Sequence, residues 1–253
     1  MSSSAKPLAG VKALLHDVFG TIVDWQGSVH RQLETKCRDD GIDLTGLDLL
    51  EATKQWRRGY LRRTREISEG APGPTNVDDL HRELLDELLQ DPQWKLLSSW
   101  SDADRDQAVQ FWHKLDGWPD SSKGMHTIRR LDPAILQTTL SNGSARLLID
   151  LSRHANLPYD AIFSGDLLKT YKPNPAMYLG GCSLLRCEPH ECAMVAAHIY
   201  DIRAAKSNGL KTIYVRRATE DVGEDKSLIT SIADGGECDV VVDSIEEIVQ
   251  YLQ

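Results

Sequence analysis

The run Leu14-Leu15-His16-Asp17-Val18-Phe19-Gly20-Thr21 carries the first chemistry in the chain. An apolar strand that ends in a carboxylate at a glycine-containing turn presents that carboxylate as a nucleophile. The side chain two positions further on limits what it can displace. A phosphate ester expels an alkoxide, which benefits from a positioned acid. A halide leaves as a stable anion and needs no proton. Phe19 in that position argues for a leaving group that departs unprotonated. Three more groups of residues lie far apart in the chain: Leu140-Ser-Asn-Gly143, Tyr171-Lys-Pro173 and Val195-Ala-Ala-His-Ile-Tyr-Asp201. A lysine brought close to Asp17 would keep it ionised. A strand-end turn with free N–H groups is an anion site, and His198 titrates near neutral pH. Each has a plainer reading alone: a capping aspartate or turn hydroxyl for Asp17 and Thr21, an ordinary Ser-Asn-Gly turn, a solvated lysine.

The elements that must position these residues follow from periodicity. Residues 11–15, 135–140, 161–163, 193–197, 212–215 and 240–242 read as short buried strands. Residues 144–155, 174–185, 200–208 and 245–252 read as helices between or after them. Such alternation predicts a parallel α/β sheet, whose ligands bind beyond the carboxyl ends of the strands. Asp17, Ser141 and His198 all fall there. Residues 25–116 show no strand run. Helical periodicity over 26–39, 47–67, 77–89 and 102–115, broken at 70–75, predicts a helical insert directly after the nucleophile turn. The division expected is a core of residues 1–24 and 117–253 with a helical cap of 25–116. His16, adjacent to Asp17, should face away from the chemistry as a bonded core histidine.

The bulk composition narrows the function. At 253 residues and 41% hydrophobic content the chain can build a substantial core. A formal charge of −9 argues against a nucleic-acid surface. The start lacks the apolar run of a signal peptide, and nothing approaches the ~18 apolar residues of a membrane span, so a cytoplasmic location is expected. Cys182, Cys187 and Cys192 fit no zinc spacing and read as free thiols.

In order and spacing the four motifs resemble the haloacid dehalogenase superfamily, and within it the type II L-2-haloacid dehalogenases. The resemblance covers nearly the whole chain. It implies a Rossmann-like core with an inserted helical cap. The activity implied is hydrolytic dehalogenation of short L-2-halo acids through an aspartyl ester, releasing halide and a 2-hydroxy acid. By that resemblance Asp17 is the nucleophile, Thr21 holds its rotamer, and Lys172 points at it. Ser141 and neighbouring amides take the substrate carboxylate, and Asn142 helps receive the halide. Arg57 takes the halide from the cap side, beside the pocket residue Leu61, although the register of the basic run could place Arg58 there instead. Phe19, Trp56, Tyr60 and Tyr200 are candidate pocket aromatics. Tyr178 either packs in the core or bonds near the lysine or substrate. Asp201 orients water or bonds Lys172. Ala196 and His198 replace the serine and asparagine usual in that loop; His198 either activates water with Asp201 or positions the loop.

Magnesium requires a near-octahedral oxygen set, and one carboxylate beside His198 and Lys172 is a poor match. No metal or organic cofactor is therefore expected. Asp24, Asp166 and the acids of 220–225 read as turn or surface charges. The resemblance also implies a homodimer, which nothing in the spacing itself indicates. Two rival readings are a magnesium-dependent phosphatase of the same superfamily and a non-catalytic protein that keeps the fold.

Overall fold

The computed structural model describes residues 6–74 and 76–252. Thr75, the last residue of the predicted break at 70–75, and the first five residues lie outside them. Six strands form one parallel sheet: β1 (Ala13–His16), β2 (Leu136–Ser141), β3 (Ala161–Ser164), β4 (Cys192–Ala196), β5 (Lys211–Val215) and β6 (Val240–Val242), in the order β3-β2-β1-β4-β5-β6. Between β1 and β2 lie α1 (Trp25–Asp39), α2 (Leu49–Ser68), α3 (Val77–Leu88), α4 (Asp102–Val109) and α5 (Ser121–Ile128). The rest are α6 (Ala145–His154), α7 (Gly165–Leu168), α8 (Pro175–Leu184), α9 (Ile199–Ser207) and α10 (Val249–Leu252).

β1 is the centre of the sheet, pairing with β2 on one side and β4 on the other. All four of its residues are buried, as a strand covered on both faces requires. One face meets α8 and α9 through Leu15, Leu140, Met194, Met177 and Ile202. The other presents Leu14, Val195 and Ile213 to α5 and α6, and this core runs without a break into Trp56, Leu80 and Trp112 of the helical segment. Full burial of such a side chain contributes about 1.5–3 kcal/mol, so the helical segment is anchored by a shared interior. Side-chain caps fix where its helices begin. Asp24 accepts from Gly27 N, Asp48 from Glu51 N and Asn76 from Asp78 N, and Ser101 with Asp104 forms a reciprocal box.

The predicted strands agree with these to within two residues at each end. The helix α5 was not among the predicted elements: its Ser-Ser-Lys-Gly start is poor in apolar periodicity. Residues 245–252 begin as a 3-10 turn, Ile245–Ile248, before α10.

His16 departs from expectation in one respect. It is fully buried on the Leu14 face, edge-on to Tyr159 at 5.8 Å. Neither ring nitrogen has a hydrogen-bond partner, nor does the Tyr159 hydroxyl. It is a core histidine but not a bonded one. Burial drops its pKa from 6.5 to about 3, against a small opposing pull from Asp17. The unfolded chain therefore binds the extra proton between those values, and His16 removes stability as pH falls from 6.5 towards 3. His16→Leu should consequently gain about 2 kcal/mol over the parent protein on going from pH 7 to pH 5. Urea unfolding at the two pH values checks this; parallel losses in both proteins would show that His16 carries no such penalty.

Candidate active site

The carboxyl ends of β1, β2 and β4 lie side by side, with His16 in register with Thr139 and Val195. The chain leaves β1 at Asp17, whose N–H donates to Val195 O. It then turns tightly: Ile22 and Val23 both donate to Val18 O, and Gly20 takes φ +85°. That turn folds Thr21 back on Asp17. The Thr21 hydroxyl donates to Asp17 Oδ2 at 2.6 Å and itself accepts from Ala197 N at 2.8 Å. The carboxylate is locked to both strand ends.

Lys172 Nζ donates to Asp17 Oδ1 at 2.8 Å and to Asp201 Oδ2 at 2.5 Å. The Tyr178 hydroxyl donates to the other Asp201 oxygen, so Tyr178 is both packed in the core and bonded to the lysine's partner. Burial pushes the Asp17 carboxyl up, but the Lys172 charge and the His198 bond outweigh it and hold it well below the usual range. Burial lowers Lys172, yet Asp17 and Asp201 more than reverse this, and the ammonium is strongly stabilised. Asp201, desolvated and facing Asp17, is pushed upward despite Lys172. Of the two carboxylates sharing one ammonium, Asp17 is the one held firmly ionised.

His198 lies between two acids. Its Nδ1 meets Asp17 Oδ2 at 3.1 Å and its Nε2 meets Glu220 Oε2 at 2.9 Å. Glu220 accepts in turn from Trp25 Nε1 at 2.9 Å and from Thr219 Oγ1 at 3.0 Å. Burial opposes the charge on His198, but the two carboxylates raise its pKa to about 10. The reading of Glu220 as a surface charge is therefore corrected: it is buried and directed into the site. It reaches there because residue 20 is glycine. A Cβ at Gly20 would lie 2.4 Å from Glu220 Cδ. The signal available in the sequence was its place in the loop beyond β5, at the same edge of the sheet as Asp17. Of the other acids, Asp24 caps α1 as a turn residue does, whereas Asp166 and Asp221 reach across the fold to accept from Ala145 N and Ile199 N at the starts of α6 and α9.

Asn142 is turned towards the main chain of Lys172, accepting from its N–H at 2.7 Å and donating to its C=O at 3.4 Å. It holds the segment that carries the lysine. Ser141 Oγ is buried and accepts from Gly143 N at 3.2 Å. On the cap side Arg57 is 6% exposed, whereas Arg58 points outward to Glu51. The Arg57 guanidinium lies over Tyr60, Trp25 and Phe19 at 4.9, 5.4 and 5.5 Å from their centroids. Trp56 is core, donating to His81 O. Leu61 and Tyr200 are about two-fifths exposed. With Thr64, Pro173, Asn142 and Lys172 they line a cavity of about 540 Å³ that opens outward from the lysine.

A buried, ionised carboxylate at the end of a central parallel strand, braced by lysine and histidine beneath a helical insert, is an arrangement able to carry nucleophilic attack by an aspartate. A family model described as haloacid dehalogenase-like hydrolase matches residues 11–209. The solved structure of the L-2-haloacid dehalogenase PA0810 is similar with a TM-score of 0.83 at 34% identity, over 96% of this chain and 98% of that one. That of the defluorinating L-2-haloacid dehalogenase Rha0230 gives 0.84 at 30% identity, over 96% of each. (S)-2-haloacid dehalogenase 1 of Pseudomonas sp. (strain CBS-3) is 27% identical over 212 residues, 82% of this chain and 85% of the relative. The chain belongs to the haloacid dehalogenase-like hydrolases.

The bracing of His198 is open to test. Glu220→Gln removes one of its two carboxylate partners, so its pKa should fall from about 10 towards 6.5, as read by imidazole NMR. Because the folded value is raised, the pair adds stability that is complete below pH 6.5 and lost as pH rises through 10; the variant should surrender part of it at pH 7. An unaltered His198 titration would mean that the Glu220 contact does not govern the ring.

Proposed function

We propose that this protein hydrolyses the carbon–halogen bond of short L-2-halo acids through an ester on Asp17. The observation that carries the reading is the pairing of a desolvated, ionised Asp17 with a buried Arg57 for which no acid lies within ion-pair distance among the described residues. Phe19, under the Arg57 guanidinium, stands where phosphate-ester chemistry would want an acid. One side of the site is built to attack and the other to accept an anion.

An Asp17 carboxylate oxygen attacks C2, and the halide departs with the electron pair of the broken bond, inverting that centre. Thr21 and Lys172 fix the attacking group, and the substrate carboxylate lies towards the Ser141–Gly143 turn and Lys172. Ester formation removes the charge on Asp17. That charge is one of the two that keep His198 protonated, so once the ester forms His198 releases its proton to solvent and its free nitrogen can take a proton from water, with Glu220 behind it. The water oxygen attacks the Asp17 carboxyl carbon, the alkoxide takes the proton held by His198 and leaves as the 2-hydroxy acid, and the second water proton passes to His198 as the Asp17 carboxylate is regenerated. Residues 25–116 act as the cap that excludes bulk water, and Leu61 and Tyr200 stand at the mouth of the site.

A divalent ion does not fit this arrangement. Both Asp17 oxygens are taken by Thr21, Lys172 and His198, and Asp201 by Lys172 and Tyr178, so cationic side chains stand where an ion would need free carboxylate oxygens. The reaction is proposed to need no metal or organic cofactor.

Halide release from L-2-chloropropionate in EDTA tests the reading, with p-nitrophenyl phosphate and Mg²⁺ in parallel. Release abolished by Asp17→Asn is expected; Mg²⁺-dependent phosphate release alone would point to a phosphatase instead. His198→Ala should form the ester and hydrolyse it at least 10²-fold more slowly, leaving a mass adduct on the intact protein. If that variant never forms the ester, His198 is not the group that activates water.

A further inference from the structure

Around Arg57 the helical segment builds a compartment whose polar atoms lack partners. Tyr60, His81, Trp112 and Trp25 stack in sequence, with centroids 5.0, 4.2 and 6.3 Å apart and planes within 15° of parallel. Phe19 closes on Trp112 at 6.4 Å. Arg57 lies over Tyr60, Trp25 and Phe19, so the guanidinium and the Trp112 indole share two of their walls. All of these side chains are more than nine-tenths buried. Yet Arg57 Nε, Arg57 Nη1, Trp112 Nε1 and His81 Nδ1 have no hydrogen-bond partner. Buried indole N–H groups normally find an acceptor. A buried guanidinium without a counter-charge is still more costly.

We propose that Trp112 contacts the leaving halide, its indole N–H joining the free Nε and Nη1 hydrogens of Arg57 as the acceptor for that ion. This rests on the dehalogenase reading and adds a residue to it. Three donor nitrogens without acceptors, gathered among aromatic rings, suit a small anion that arrives without its hydration shell. Asn142, the donor expected from the core side, has its amide turned to the Lys172 main chain through both ends, so more of the halide's solvation falls to the helical segment. His81 serves as a spacer between Tyr60 and Trp112. Burial and the nearby Arg57 charge keep it neutral, so it adds no competing charge.

The consequence is a preference among halides. Fluoride and chloride lose more hydration than bromide and depend more on the donors that replace it. Trp112 should matter in that order.

Trp112→Phe retains a ring in the stack and removes only the donor. In the otherwise intact protein, chloride binding read by ³⁵Cl NMR line broadening should weaken about tenfold. The kcat for 2-fluoro-, 2-chloro- and 2-bromopropionate should fall in that order of severity with KM little changed. Equal losses for all three substrates would mark a packing role and overturn the proposal, as would unchanged chloride binding. A measurement on the unmodified protein guards against misfolding of the variant: titration with sodium chloride should move the Trp112 Nε1–H proton resonance downfield, and a stationary resonance refutes the contact. If chloride binds in this Trp112-dependent way but no 2-halo acid releases halide, the anion pocket stands and the proposed reaction falls. Turnover by the parent protein with an indistinguishable Trp112→Phe variant sinks the Trp112 assignment alone.

Discussion

A single ammonium shared by two buried carboxylates is the constraint around which the site is arranged. Lys172 cannot remain charged out of water without Asp17 and Asp201, and Asp17 cannot remain a carboxylate without Lys172. The fold supplies the geometry that makes this exchange favourable. Three parallel strands end together, the Thr21 turn fixes one oxygen of Asp17, and Tyr178 reaches up from α8 to hold Asp201. Asn142 serves the same interaction from behind, tying down the main chain of the lysine. Removing Lys172 would leave two buried carboxylates facing one another, so residues far apart in sequence are held by the same ammonium.

A second ionic group is built on the first. His198 joins Asp17 to Glu220, and Glu220 is anchored by Trp25 at the start of the helical segment. The three acids and three bases of the site, with Arg57 as the sixth, balance in charge, but not in position. Arg57 is set apart among rings, and the other five groups form one connected chain.

The parallel sheet is legible in the sequence because each strand is a short apolar run and the site motifs fall at strand ends. The helical segment is legible through its 3.6-residue period and the break at 70–75. Asp17, Thr21, Lys172, His198 and Asp201 come together as their motifs imply, since four of them follow directly on the ends of β1 and β4, and Lys172 follows β3 and the short α7. What sequence alone conceals depends on contacts between distant loops. Glu220 belongs to a run of acids that looks solvated, and its inward turn rests on the room beside Gly20 and on Trp25 and His198 from distant parts of the chain. Trp112 and His81 fall inside the helices expected over 102–115 and 77–89; that Trp112 Nε1 and His81 Nδ1 lack partners is a property of three-dimensional packing. His16 looked bonded because buried histidines usually are, and the sheet face it occupies offers it only carbon and an equally unpartnered tyrosine.

The space beside Gly20 can hold one group only. It is the Glu220 carboxylate, and a methyl at position 20 would force that carboxylate to shift. Residues 20 and 220 are thus in steric exclusion across some two hundred positions of chain. The smallest side chain in the nucleophile turn decides, by what it leaves empty, whether the histidine opposite has an acid behind it. The proton chemistry of the site is therefore encoded partly in an absence of atoms.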